Sequence, residues 1–141
     1  MTRSSDKAVT VNYFLEPGYI FVPTKPANIS VVLGSCVSVC LYDRKQRLGG
    51  MNHFLFPYVR EKDKATALFG NAATPMLIRM MLNNGSKIKH MEAQILGGAH
   101  NPGISPKNIG RENITAARSV LAKKKISVVS QDVGGQKGRK V

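Results

Sequence analysis

The alternation of apolar and polar residues predicts strands first and helices later. A turn at Glu16-Pro17-Gly18 precedes a short strand, Tyr19-Ile20-Phe21-Val22, and Pro23 to Pro26 punctuates the chain before a second strand over Ile29 to Leu33. Gly34-Ser35 interrupts the pattern. It resumes with β-branched residues from Cys36 to Tyr42, followed by a charged turn over Asp43 to Gly50 and a strand from Met51 to Phe56 that Pro57 stops. Arg60 to Lys64 reads as an exposed charged loop. Thr74-Pro75 has the form of an N-cap and first helical residue. The helix it opens turns Met76, Leu77, Met80 and Met81 inward and ends at Asn84-Gly85. Met91 to Leu96 is the next strand, closed by Gly97-Gly98. Ile109 to Lys125 is the clearest helix, with Ile114, Ala117 and Leu121 at helical spacing and three lysines at the negative end of its dipole. Ile126 to Ser130 is the last strand, before a glycine-rich tail.

Strands in a run, then helices between strands, predict an α+β fold, a mixed β-sheet covered by helices in a single domain. Residues 1–12 read as a mobile N-terminal arm and 13–141 as the domain. At 141 residues the chain can bury enough surface to fold without disulfides or metal. The longest uncharged stretch, Pro26 to Tyr42, is too short and too polar to cross a bilayer. The first ten residues lack the apolar core of a signal peptide, which makes the cytoplasm the expected compartment. The formal charge of +13 implies an anionic partner of some kind.

Cys36 is the sharpest chemical candidate. Two small residues, Gly34 and Ser35, precede it at a break between strands and leave its surroundings open to a substrate. A cysteine nucleophile needs a base, and His53 lies 17 residues downstream, where a hairpin would bring it toward Cys36. The plainer readings stand beside these. A cysteine in an apolar strand is more often a small buried hydrophobe, as Cys40 is expected to be, and a histidine among Met51, Phe54 and Leu55 is more often a satisfied core residue. Cys36, Cys40 and His53 supply only three ligands and no C-x-x-C, so neither a metal nor another cofactor is expected. His90 reads as surface, and His100 as a loop residue able to line a cleft. No Walker or dinucleotide pattern occurs, and the basic tail lacks interleaved aromatics, which argues against nucleic acid.

In order along the chain, Phe14-Leu15-Glu16-Pro17-Gly18, the run from Val31 to Asp43 containing Leu33-Gly34-Ser35-Cys36, and Gly49-Gly50-Met51-Asn52-His53 resemble the chemoreceptor glutamine deamidase family, CheD. The likeness continues through Phe69-Gly70-Asn71-Ala72-Ala73, Ile95-Leu96-Gly97-Gly98-Ala99, Ile109-Gly110-Arg111-Glu112-Asn113-Ile114 and Asp132-Val133-Gly134-Gly135. The resemblance implies a layered sandwich in which helices pack a mixed β-sheet, with a cysteine nucleophile at Cys36 and a histidine base at His53. It also implies an orienting hydroxyl at Ser30, where the family usually has threonine, and backbone oxyanion donors around Gly34 and Ser35. It further implies that glutamine side chains of methyl-accepting chemotaxis receptors are converted to glutamate through a thioester, with a CheC-type phosphatase as a further partner. The expected state is a monomer that neither inserts in membranes nor binds nucleic acid. A chain that stops soon after the glycine-rich tail, at Val141, leads us to expect one shortened sheet edge, and Phe69 stands where tyrosine is frequent.

Overall fold

The computed structural model describes residues 10–141; most of the segment read as an arm, residues 1–9, lies outside the described residues. A five-stranded mixed sheet forms the centre. Its strands are β2 (Ile20–Phe21), β5 (Val37–Asp43), β6 (Leu48–Asn52), β7 (Met91–Gly97) and β8 (Ser127–Val133), in the order β2-β6-β5-β7-β8. All neighbours are antiparallel except β7 and β8, which are joined through a helix. Two small sheets lie apart from it: β1 (Val11–Phe14) runs parallel to β3 (Ala27–Ser30), and β4 (Val32–Leu33) runs antiparallel to β9 (Arg139–Lys140). Val11 and Asn12, assigned to the arm by the sequence pattern, thus belong to β1.

Alternation along β5 divides the core in two. Val37, Val39 and Leu41 face the helices α1 (Gly70–Asn83) and α2 (Ile109–Lys123), where Leu77, Met81, Ala117 and Leu121 cover them. Cys36 and Cys40 face the other way, onto Leu15, Val31, Leu33, Met51 and Leu96. Helices, central sheet and outer strands make the expected layered α+β domain. Among the described residues, no helix is long and apolar enough to cross a membrane.

Four local expectations are corrected. The stretch Ile29 to Leu33 is not one strand: Ser30 ends β3, Val32 opens β4, and the two pair with different partners. Strand β6 begins at Leu48 and ends at Asn52, earlier than the pattern Met51 to Phe56 suggests, although Phe54 still exchanges backbone hydrogen bonds with Val37. The first helix begins at Gly70, not at Thr74-Pro75. Main-chain acceptors in the preceding loop replace a side-chain cap, with the Gly70 N–H donating to the Phe56 carbonyl and that of Asn71 to Pro57. Pro75 therefore sits inside α1, and Thr74 is buried. Leu77, Ile78 and Met81 face inward, while Met76 and Met80, expected inward, are partly exposed at 37% each.

Candidate functional site

The site forms where the β5–β6 hairpin opens. Asp43 fixes the turn, its Oδ1 accepting from the N–H groups of Lys45 (2.9 Å) and Gln46 (3.0 Å). Residue 40 stands opposite 51, and at the far end Val37 stands opposite Phe54 in the same register. That register sets Ser38 opposite His53 and Cys36 one pleat further along the same face. Cross-strand diagonal neighbours of this kind lie about 7–8 Å apart, within reach of long side chains. The register therefore makes Cys36 and His53 diagonal neighbours across the opening of the hairpin.

His53 is 2% exposed, and its Nδ1 lies 3.0 Å from the Leu15 carbonyl oxygen. A carbonyl only accepts, so the neutral ring carries its proton on Nδ1 and leaves the Nε2 lone pair free. Nε2 is buried and without a hydrogen-bond partner, as is the hydroxyl of Ser38 across from it. Burial pushes the His53 pKa down, although the bond to Leu15 opposes this.

Cys36 is half-buried, in the loop between β4 and β5. Burial pushes its thiol up, more than the backbone N–H groups of Gly34 and Cys36 facing the sulfur pull it down. The carbonyls of the segment are held elsewhere. The Gly34 oxygen accepts from Ala99 N–H (2.9 Å) and the Cys36 oxygen from Gly98 N–H (2.9 Å), while the Asn113 side chain holds the Ser35 oxygen (2.9 Å). Gly97 and Gly98 adopt φ of +106° and +76°, and a Cβ on Gly97 would collide with the Cys36 carbonyl oxygen. Gly34 has no atom within 4 Å of the place its Cβ would take, so that side of the loop is open. It opens on a cleft of about 310 Å3 lined by Gly34, Ser35, Ala99, His100, Lys107 and Gln136.

Ser30 enters differently from the expectation. Neither ring nitrogen of His53 bonds its hydroxyl; instead its carbonyl accepts from Leu15 N–H (2.9 Å), and Leu15 in turn holds His53. Cys40 faces the outer layer with its thiol pushed up by burial to about 11, unsuited to nucleophilic work at neutral pH. It lines a larger cavity of about 540 Å3, and the walls of neither this cavity nor the smaller cleft include Cys36 or His53. Volume alone would select that cavity; the smaller cleft is singled out by Gly34 and Ser35, the two residues before Cys36, which line it. Among the described residues, no three His, Cys, Asp or Glu side chains gather closely enough to hold a metal ion. Leu15 and Asn113 escaped the sequence reading as functional positions, although both lie inside the quoted motifs.

Comparison with known proteins now decides the family. The family model described as "CheD chemotactic sensory transduction" matches residues 56–141, more than half of the chain. A protein of Sulfurimonas denitrificans, named probable chemoreceptor glutamine deamidase CheD, is 37% identical over 131 residues, covering 91% of this chain and 84% of its own. The chain belongs to the CheD family. Two further relatives carry the same name. The CheD 1 of Anaeromyxobacter dehalogenans is 41% identical, covering 91% of this chain and 75% of its own, and the CheD of Trichlorobacter lovleyi is 40% identical, covering 92% and 81%. These relatives, unlike the family-model match, overlap more than nine-tenths of the chain.

Proposed function

We propose that this protein deamidates glutamine side chains of methyl-accepting chemotaxis receptors, with Cys36 as nucleophile and His53 as base. The supporting observation is the register that sets Cys36 diagonal to His53: a half-buried thiol faced by backbone N–H donors, and a histidine whose Nδ1 is committed to Leu15 and whose Nε2 is unengaged. The relatives' names supply the reaction and the substrate class.

The pKa directions define the resting state. With the thiol raised and the imidazole lowered, both are neutral near pH 7, so the free enzyme holds no thiolate–imidazolium pair. When a carboxamide reaches Cys36, Nε2 takes the thiol proton as sulfur attacks the amide carbon. The N–H groups of Gly34 and Cys36 stabilise the oxyanion, a contribution worth roughly 10²–10³ in rate per donor. The imidazolium then protonates the leaving nitrogen, the C–N bond breaks, and ammonia departs from a thioester. Water, deprotonated by Nε2, attacks that thioester. The thiol is restored and glutamate is released. Ser30 supports this arrangement through Leu15.

The surplus of +13 suits an acidic partner surface. A cytoplasmic location, a monomeric state and engagement of a CheC-type phosphatase belong to the same proposal; light scattering with and without such a phosphatase tests the last two. Ammonia release from a receptor cytoplasmic fragment tests the reaction. Activity that survives Cys40→Ala but not Cys36→Ala supports the assignment, whereas ammonia release by Cys36→Ala overturns it.

A further inference from the structure

Asn113 stands on the buried face of α2, three residues after Gly110, with a side chain that solvent does not reach. Gly110 lies so close to the carbonyls of Gly98 and Ala99 that a Cβ there would overlap them, and this approach brings Asn113 against the site. Its Nδ2 donates to two carbonyls, Ser35 at 2.9 Å and Leu55 at 2.9 Å. A side-chain amide has two N–H hydrogens, so both are used and the amide orientation is fixed. The acceptors flank the reacting pair. Ser35 precedes Cys36, and Leu55 follows His53 by two residues, opposite Cys36 where the strand ladder ends.

The Ser35 carbonyl and the Cys36 N–H belong to one peptide unit, which is planar and trans, so they point in opposite directions. Holding the oxygen aims the N–H. In the neighbouring peptide units the Gly34 and Cys36 carbonyls are held by main-chain donors from Ala99 and Gly98. The middle unit depends on a side chain.

We propose that Asn113 is a positioning residue: by gripping the Ser35 carbonyl it aims the Cys36 N–H at the oxyanion, and by gripping Leu55 it fixes the spacing of the His53 strand from the nucleophile loop. The proposal rests on the deamidase reading of Cys36. Asn113→Asp keeps the size and, ionised, removes both donors; Asn113→Ala removes the group. In a folded variant, kcat on a receptor fragment falls roughly 10²-fold with KM little changed. The pH midpoint for alkylation of Cys36 by iodoacetamide also rises, because its thiolate loses a facing N–H. A merely structural residue would lower Tm without moving that midpoint. Folded variants with kcat within about threefold of wild type and an unmoved midpoint overturn the proposal. If neither variant folds, the wild-type protein carries the test: alkylation of Cys36 shifts the side-chain amide NMR signal of Asn113, and an unshifted signal overturns it. A wild-type enzyme that leaves receptor glutamines intact would sink the deamidase reading alone, since the alkylation midpoint needs no substrate.

Discussion

His53 Nδ1 and the Leu15 carbonyl oxygen, 3.0 Å apart, determine which ring nitrogen of the neutral imidazole keeps a lone pair. The bond stores the imidazole proton on the side away from reaction and leaves a lone pair on Nε2. Leu15 is itself held by the Ser30 carbonyl, so the imidazole is oriented by main chain from the residue after β1 and the last residue of β3.

The neutral resting pair has a kinetic signature. The acid limb of kcat/KM follows His53 and falls at a midpoint below the ordinary histidine value of about 6.5. Iodoacetamide alkylation of Cys36 in the free protein rises only above the ordinary thiol range of about 8.5. Rapid alkylation already at pH 6 would reveal a preformed ion pair and contradict the neutral state.

Ser30 separates backbone from hydroxyl. Because its carbonyl holds Leu15, Ser30→Ala keeps the support of His53 and lowers kcat less than about tenfold, far short of the loss in His53→Ala. Steady-state kinetics of the two variants on one receptor fragment decide it. A comparable collapse in Ser30→Ala would place the hydroxyl itself in the reaction.

The hairpin logic of the site was legible in the chain. A charged turn between two apolar runs implies antiparallel pairing, and that pairing makes a spacing of 17 residues between Cys36 and His53 a proximity. Side-chain signals misled where main chain did the work. Thr74-Pro75 carries the local grammar of a helix start, but the carbonyls of Phe56 and Pro57 begin the helix five residues earlier. The two-residue strands β4 and β9 exist only because tertiary structure brings distant segments together, and no short pattern encodes them. Asn113 was hidden for the same reason: its acceptors lie 78 and 58 residues away.

Gly97 tests how closely the nucleophile loop is clasped. Its φ of +106° disfavours any side chain, and a methyl group would strike the Cys36 carbonyl. Gly97→Ala is expected to cost about 1–3 kcal/mol in stability. Activity at a temperature where the variant is still folded should fall further than that loss explains. Urea unfolding with parallel kinetics measures both; a stable, fully active variant would show that the loop tolerates displacement.

Stability should be greatest between neutral pH and about 8.5, the ordinary thiol value. His53 has a folded pKa below its unfolded one, so the unfolded chain binds more protons in the interval; its contribution is present above about 6.5 and is lost as pH falls through the folded value. Cys40 works in the opposite sense. Its folded pKa of about 11 exceeds the unfolded value, so its contribution is present below about 8.5 and is lost as pH rises toward 11. Cys36 adds to the alkaline loss in the same direction. Urea midpoints across pH should show both limbs, with the alkaline one shallower in Cys40→Ala. An unchanged alkaline slope in that variant would remove Cys40 as its source.

The central claim, that Cys36 carries the deamidation of receptor glutamines, is tested most directly by peptide mass spectrometry. A receptor cytoplasmic fragment is incubated with this protein and, in parallel, with its Cys36→Ala variant. Conversion of particular glutamines to glutamate by the native protein, and by it alone, is the predicted result. Equal conversion by both proteins, or none by the folded native protein with its Cys36 thiol free, would contradict it.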